Sequence, residues 1–101
     1  MLESNIEFHS AARQEFVDAF EYYDERNPEV ANRFADSVEH CFQRIARSPQ
    51  QFPKRIDPFR HGLVEGFPYV IIIAITESSP YVVAFAHTSR NPDYWKDRVD
   101  H

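Results

Sequence analysis

The first half of the chain carries an apolar stripe whose members recur every three or four positions, with charged residues between them. This spacing predicts an amphipathic helix over about residues 11–26, and Ser10 is its predicted N-cap. A helix with one apolar face is expected to pack that face against the rest of the domain. The stripe consists of Ala12, Phe16, Ala19, Phe20 and Tyr23.

A second stripe with the same spacing predicts a second helix, which ends before Ser48-Pro49. Asn27-Pro28 separates the two stripes and has the character of an N-cap followed by proline at the first helical position. Because almost no loop remains between the helices, they are predicted to lie antiparallel as a helical hairpin. The second stripe consists of Val30, Phe34, Val38, Cys41, Phe42 and Ile45.

The second half of the chain has the pattern of a loop followed by strands. The segment QQFPKRIDPFRHG holds two prolines among mixed charges and is predicted to be a loop. After Pro68, a continuous apolar run predicts a central strand covered on both faces, at least in part, and Ser78-Ser79-Pro80 predicts the turn to the last strand. In that strand, small residues alternate with larger ones, which predicts that the small residues face the helices.

Together these elements predict one α+β domain that spans residues 1–101. A short N-terminal strand and an antiparallel helical hairpin are expected to pack on a mostly antiparallel sheet of three or four strands. Residues 90–98 are expected to form a short C-terminal helix, which starts at Asn91-Pro92.

The formal net charge of −5 is unevenly distributed. Residues 1–48 carry five arginines against ten carboxylates, most of which are interpreted as a solvated helix face. Residues 49–101 carry six cations against six carboxylates. Nucleic-acid-binding domains usually show a basic face or stripe, so direct binding of free nucleic acid is not expected. Any anion-binding surface is expected in the second half, where the segment KRIDPFRH is locally basic.

Signals of a cofactor, a metal site or a membrane span are missing from the sequence. The two glycines form no phosphate-binding loop and no spacing is typical of zinc ligands, so no cofactor and no metal are expected. The longest apolar stretch, YVIIIAI, is too short to span a bilayer. The N-terminal residues lack an apolar leader and Cys41 is the lone cysteine, which predicts a cytoplasmic protein in which Cys41 is buried and inert.

The candidate chemistry lies at the end of the chain, in AFAHTSRNPDYWKDR. Cleavage of RNA through its 2′-hydroxyl needs a general base, a general acid and cations near the phosphate. His87 and Arg90 lie close together where the last strand ends, and Arg60 opens the preceding strand region, so these three are the candidate catalytic residues. The alternative is a structural cluster, in which His87 caps backbone groups and the arginines pair with nearby surface carboxylates. Trp95 is expected to anchor the terminal segment to the core.

The order of these motifs resembles the RelE/ParE family of toxins from type II toxin–antitoxin systems, which are often called plasmid-stabilisation proteins. The resemblance covers about residues 6–98. It implies a growth-inhibiting toxin that a cognate antitoxin neutralises by wrapping it with an extended or helical tail. The motifs that carry it are FEYY on the first helix, RF on the second, and then FPYVI, VVAFAH, SRNP and YWKDR.

The family implies two kinds of target. RelE-like members are metal-independent nucleases that cut mRNA on the ribosome, whereas ParE-like members bind and poison DNA gyrase. The pattern of FPY, His87, Arg90 and YWKDR is similar to ParE-like members, and an acidic chain with only two lysines is unlike the lysine-rich nuclease branch, so gyrase is the favoured target. Two alternatives stay open: a ribosome-dependent mRNA endonuclease, and an inactive family member or small protein-interaction module.

The resemblance also implies two contact surfaces. The antitoxin is expected to cover a groove beside the helical hairpin and to bring arginine or lysine to its carboxylates, with Phe16, Glu21 and Glu25 as candidate contacts. The target is expected to meet the exposed face of the sheet and the terminal segment. The candidate target-binding residues are Arg55, His61, Tyr94 and Arg98.

Overall fold

A computed structural model describes residues 6–77 and 79–99 of the chain. Two helices pack on a five-stranded sheet, so the predicted α+β fold with a helical hairpin is confirmed. None of the helices in the described ranges is long and apolar enough to cross a membrane. The elements are β1 (Glu7–Phe8), α1 (Ser10–Arg26), α2 (Pro28–Arg47), β2 (Lys54–Ile56), β3 (Phe59–Leu63), β4 (Tyr69–Thr76) and β5 (Ser79–His87).

Asn27 joins α1 to α2 and satisfies backbone groups of both helices. Its backbone N–H donates to the carbonyl of Tyr23 at 2.8 Å, which closes α1. Its side-chain Oδ1 accepts a hydrogen bond from the N–H of Glu29 at 3.0 Å, which caps α2. Pro28 occupies the first turn of α2, where the missing N–H has no intrahelical partner to lose. The predicted joint of the hairpin is therefore confirmed.

The strands form one mixed sheet in the order β1-β5-β4-β3-β2. β1 runs parallel to β5 and the other neighbours are antiparallel, with β4 in the centre as its continuous apolar run predicts. The sheet has more strands than predicted, because the segment expected to be a loop forms β2 and most of β3. Its prolines suggested a loop, but Pro53 precedes β2 and Pro58 lies in the turn before β3, so neither interrupts a strand.

The sheet separates two apolar clusters. On the helix side, fully buried Phe34 packs against the rings of Phe16, Phe67, Tyr69 and Phe85 at centroid distances of 5.1–5.9 Å. Predicted burial is confirmed for Phe16, Phe34 and Val38, whereas Phe20 is only partly buried. The predicted burial of Cys41 is also confirmed, and that burial raises the pKa of its thiol to about 11.

A bulge in β5 changes which of its residues face the helices. The pairing with β4 shifts between Ile72 and Ile73, so that Val83 is an extra residue in β5. Phe85 consequently joins the helix-side cluster, while Ala84 lies in the cluster on the other face. The prediction that the small residues of this strand face the helices is therefore wrong for Ala84, whereas Val82 does lie in the helix-side cluster.

Two predicted helix features also differ from the structure. The N-cap of α1 is His9 rather than Ser10, and its Nδ1 accepts a hydrogen bond from the N–H of Ala11 at 3.0 Å. The predicted C-terminal helix over residues 90–98 is a run of turns that ends in one 3₁₀ turn, Lys96–Arg98. Side-chain contacts of Trp95 and Arg98, rather than helical hydrogen bonds, hold this segment in place.

The predicted turn before β5 is described only in part. Ser78 lies outside the described residues, while Ser79 and the proline after it already belong to the strand.

Candidate functional site

Strand β5 runs past the end of its neighbour β1. The two strands pair only at Glu7 with Tyr81 and Phe8 with Val82, after which the N–H of His9 donates to the carbonyl of Val82 at 2.8 Å. Beyond Val82, no strand in the described ranges covers this edge of β5. Its outward N–H and C=O groups therefore need other partners.

Glu15 and Arg98 supply these partners. Oε1 of Glu15 accepts a hydrogen bond from the backbone N–H of Phe85 at 3.0 Å, and Arg98 donates to the carbonyl of Val83 at 3.2 Å. The two side chains also form a bidentate ion pair, in which Nη1 and Nη2 of Arg98 donate to Oε1 and Oε2 of Glu15 at 2.8 and 2.9 Å. One pair of side chains thus satisfies the edge of β5 and ties the C-terminal segment to α1.

Two further residues complete what we call the Glu15 cluster, which consists of Glu15, Arg90, Tyr94 and Arg98. The hydroxyl of Tyr94 donates to Oε2 of Glu15 at 2.7 Å. Nη1 of Arg90 lies 3.5 Å from the same oxygen, and its guanidinium carbon lies 3.8 Å from the centre of the Tyr94 ring. Two arginines share one carboxylate, so the cluster carries one surplus positive charge.

Burial and hydrogen bonding together fix the charges in this cluster. Burial raises the pKa of the Glu15 carboxyl, but hydrogen bonds from Arg98, Tyr94 and the Phe85 backbone outweigh it, and the pKa lies below its ordinary value of 4.5. Burial and the hydrogen bond to Glu15 raise the pKa of the Tyr94 phenol. Glu15 is therefore ionised and Tyr94 neutral at neutral pH. The side chains of Glu15 and Arg98 are 13% and 17% exposed, whereas that of Arg90 is 55% exposed, so Arg90 presents the surplus charge to solvent.

The structure does not bring the three candidate catalytic residues together. His87 lies at the end of β5, where its Nδ1 accepts a hydrogen bond from the backbone N–H of Ser89 at 3.1 Å. Arg60 lies on β3, two strands away, and donates to two backbone carbonyls after α2 at 2.8 and 2.9 Å. Of the three, only Arg90 contacts Glu15. Arg60 therefore lies apart from His87 in the sheet, opposite Ile73 of β4, whereas His87 is opposite Tyr69 at the start of that strand.

His61 and Arg55, two candidate target-binding residues, lie on β3 and β2. His61 is 9% exposed and its ring centre lies 6.2 Å from that of Trp95. Burial and the charge of Arg55 lower the pKa of His61, so its ring is neutral at neutral pH. Arg55 is exposed on the edge strand β2. Trp95 itself is 1% exposed, and its ring centre lies 4.7 Å from that of Phe59. The prediction that Trp95 anchors the terminal segment to the core is therefore confirmed.

The three candidate antitoxin contacts divide into surface and core residues. Glu21 and Glu25 are exposed on α1. Phe16 is 3% exposed and packs against the rings of Phe34 and Phe85. A surface role for Phe16 is therefore corrected to a core role, because its ring is enclosed by the helix-side cluster.

Sequence reasoning did not single out Glu15 among the carboxylates of the first half, although its side chain is only 13% exposed. Its position carried a signal, since it lies three residues after Ala12 and four before Ala19, inside the buried stripe. A carboxylate in such a stripe requires a partner within the fold. The partners are Arg90 and Arg98, which pair with Glu15, and within the part of the chain that the structure describes neither pairs with Asp93 or Asp97.

The sequence matches the family model described as the ParE toxin of the type II toxin–antitoxin system, parDE, over residues 6–92. No curated protein matches the sequence. The matched span contains both helices, the sheet, Glu15 and Arg90, and it stops before Tyr94 and Arg98. Since this span covers most of the 101 residues, the chain belongs to the ParE toxin family of type II toxin–antitoxin systems.

Proposed function

We propose that this chain is a growth-inhibiting toxin that binds and poisons DNA gyrase and is neutralised by a cognate antitoxin. Family membership implies the antitoxin and supports the toxin role. The choice of target rests on the placement of the candidate catalytic residues. Arg60 is hydrogen-bonded to backbone carbonyls two strands from β5, and His87 accepts a hydrogen bond from Ser89. Inhibition by binding therefore fits this arrangement better than RNA cleavage.

The distribution of charge supports a protein target over the ribosome. A protein that works on ribosomal RNA meets dense phosphate and benefits from several cations. This chain has a net charge of −5, and its Glu15 cluster offers one surplus positive charge. Arg90 presents that charge to solvent and is the proposed target contact. Because gyrase acts on DNA in the cytoplasm, the proposed place of action is the cytoplasm.

The proposed function is tested by timing which process stops first after the chain is induced in growing cells. We expect DNA synthesis to stop and DNA-damage signalling to rise before protein synthesis falls. Arg90→Ala should relieve growth inhibition, whereas Arg33→Ala, which changes an exposed arginine on α2, should not.

Two other outcomes of the same experiment would contradict the proposal. An immediate stop in protein synthesis with cleaved mRNA would identify a ribosome-dependent nuclease. Normal growth with a folded wild-type chain would identify an inactive family member or an interaction module.

A further inference from the structure

We propose that Arg90 is the receptor for a carboxylate of the protein target, and that Glu15 and Tyr94 are positioning residues that hold its guanidinium for that contact. This role rests on the proposed function, because it requires that a protein target meets the Arg90 surface. It adds the chemistry of the contact and two residues that control it without touching the target.

Two contacts fix the guanidinium of Arg90 on its exposed side of the Glu15 cluster. Its central carbon lies 3.8 Å from the centre of the Tyr94 ring, and its Nη1 lies 3.5 Å from Oε2 of Glu15. Tyr94 is itself held by the 2.7 Å hydrogen bond to Glu15. An arginine that is already ordered loses less conformational entropy when it binds a ligand than a free one does.

The two arginines of the cluster have different roles. Arg98 forms both short bonds of the bidentate pair and is mostly buried, so its Nη1 and Nη2 atoms are committed to partners within the fold. Arg90 makes only the longer 3.5 Å contact to a carboxylate whose oxygens already accept bonds from Arg98, Tyr94 and the Phe85 backbone. Its side chain is 55% exposed, and a guanidinium has five N–H donors, of which the single contact to Glu15 uses only part. Arg98 therefore stabilises the cluster, and Arg90 is the arginine that is exposed to a ligand.

The charge at this site favours a protein carboxylate as the ligand. One surplus positive charge matches one carboxylate, and a guanidinium binds a carboxylate with two parallel hydrogen bonds. Binding to DNA or RNA draws on several phosphate contacts. Lys96, the cation of residues 90–98 outside the cluster, is paired with Asp93 at 3.5 Å, and α1 beside the cluster is acidic. The site is thus suited to a single acidic side chain on a protein.

Glu15→Gln is the most informative variant, because a pure charge effect and a positioning effect of Glu15 predict opposite changes in binding. If the cluster acted only through its net charge, removal of the negative carboxylate would raise its surplus positive charge from one to two. Binding to an acidic partner would then become stronger. If Glu15 positions Arg90, binding should weaken by about tenfold to a hundredfold, the range that corresponds to one lost charge-assisted hydrogen bond. The measurement is the dissociation constant of the full chain with purified gyrase holoenzyme, and unchanged or tighter binding overturns the positioning role.

A double-mutant cycle separates positioning from a general loss of structure. In the Arg90→Ala background, Glu15→Gln and Tyr94→Leu should cause no further loss of gyrase binding, whereas independent effects would add. Thermal unfolding and antitoxin binding are measured on every variant. If Glu15→Gln does not fold, Tyr94→Phe and Tyr94→Leu decide the question. The phenylalanine keeps a ring beneath Arg90 and should retain more binding, so equal losses for the two variants overturn the positioning role.

The positioning role and the proposed function can fail separately. If Arg90→Ala is harmless to cells while Glu15→Gln and Tyr94→Leu remain fully toxic, only the positioning role is wrong. If Arg90→Ala stays fully toxic, the proposed target contact is wrong as well. The carboxylate ligand is checked by salt: a single ion pair should lose only a few-fold in affinity between 50 and 200 mM NaCl, whereas a loss of about 10³-fold, or binding to duplex DNA alone, would assign Arg90 to phosphates.

Discussion

At the residue scale, one carboxylate connects three parts of the molecule. Glu15 lies on α1, accepts a hydrogen bond from the edge of β5 through the Phe85 backbone, and pairs with Arg98 of the terminal segment. Removal of one partner from such a pair leaves the other charge buried without compensation, which costs more than the loss of an exposed ion pair. Glu15 is therefore expected to matter for stability as well as for the placement of Arg90.

The first prediction concerns the pH dependence of stability. The folded-state pKa of Glu15 is lower than its ordinary value of 4.5, so its contribution to stability is present above pH 4.5 and is lost as the pH falls through the folded-state pKa. The free energy of unfolding should exceed that of Glu15→Gln at pH 7, and the difference should shrink below pH 4.5. Urea denaturation of both proteins across this range measures it, and a difference that does not change with pH contradicts the assigned charge of Glu15.

The second prediction concerns the centre of the core. Phe34 is fully buried among aromatic rings, so Phe34→Ala should lower the free energy of unfolding by about 3–5 kcal/mol. Tyr22→Ala, at a residue 52% exposed on α1, should change it by less than about 1 kcal/mol. Chemical denaturation provides both values, and a Phe34→Ala protein within 1 kcal/mol of wild type would show that this site is not the centre of the core.

At the scale of elements, two connections hold the fold in its functional arrangement. Asn27 serves both helices of the hairpin, and Trp95 packs the terminal segment on the face of the sheet opposite the helices. The terminal segment has little helix of its own, so its position depends on Trp95 and on the Glu15 cluster. Loss of either should affect the placement of Arg90 before it affects the hairpin.

The third prediction tests the hairpin joint. Asn27→Ala removes the side-chain acceptor for the N–H of Glu29 and should lower the free energy of unfolding by about 0.5–2 kcal/mol. Asn32→Ala is the matched control, because Asn32 is exposed within α2, where alanine has the higher helix propensity. Thermal denaturation should therefore show a lower Tm for the first variant only, and equal Tm values would exclude a capping role for Asn27.

The fourth prediction concerns the face of α1 that we expect the antitoxin to cover. Glu21 and Glu25 are exposed there, one turn apart, and a tail with arginine or lysine would complement them. Glu21→Lys combined with Glu25→Lys should weaken binding of the cognate antitoxin and leave growth inhibition by the free toxin intact. Glu65→Lys, at an exposed position after β3, serves as the control. Unchanged antitoxin affinity in the double variant would place the antitoxin elsewhere.

At the scale of the whole molecule, the sequence predicts the parts that depend on local patterns. Periodicity predicts both helices, and the turn chemistry of Asn27-Pro28 predicts their joint. The β2 and β3 strands are not predictable in this way, because their short polar pattern acquires strand structure only by pairing with a neighbour. The bulge in β5 likewise arises from the register with β4, which no local pattern encodes.

The candidate site was only partly predictable for a related reason. The cluster of His87, Arg90, Tyr94 and Arg98 is visible as a polar run after an apolar strand. Its organising residue, Glu15, lies 83 residues before Arg98, and only the packing of α1 beside β5 brings them together. The pattern therefore identifies which residues carry charge, while the fold decides that Arg98 is structural and Arg90 is exposed.

Poisoning of gyrase by this chain is measured most directly by the supercoiling of relaxed plasmid DNA by purified gyrase in the presence of the purified chain. We predict that the wild-type chain and Arg33→Ala inhibit supercoiling, that Arg90→Ala does not, and that the cognate antitoxin restores it. A parallel translation reaction should proceed normally at the same toxin concentration. If the wild-type chain leaves supercoiling unchanged but cuts mRNA in that reaction, the chain is a ribosome-dependent nuclease and not a gyrase poison.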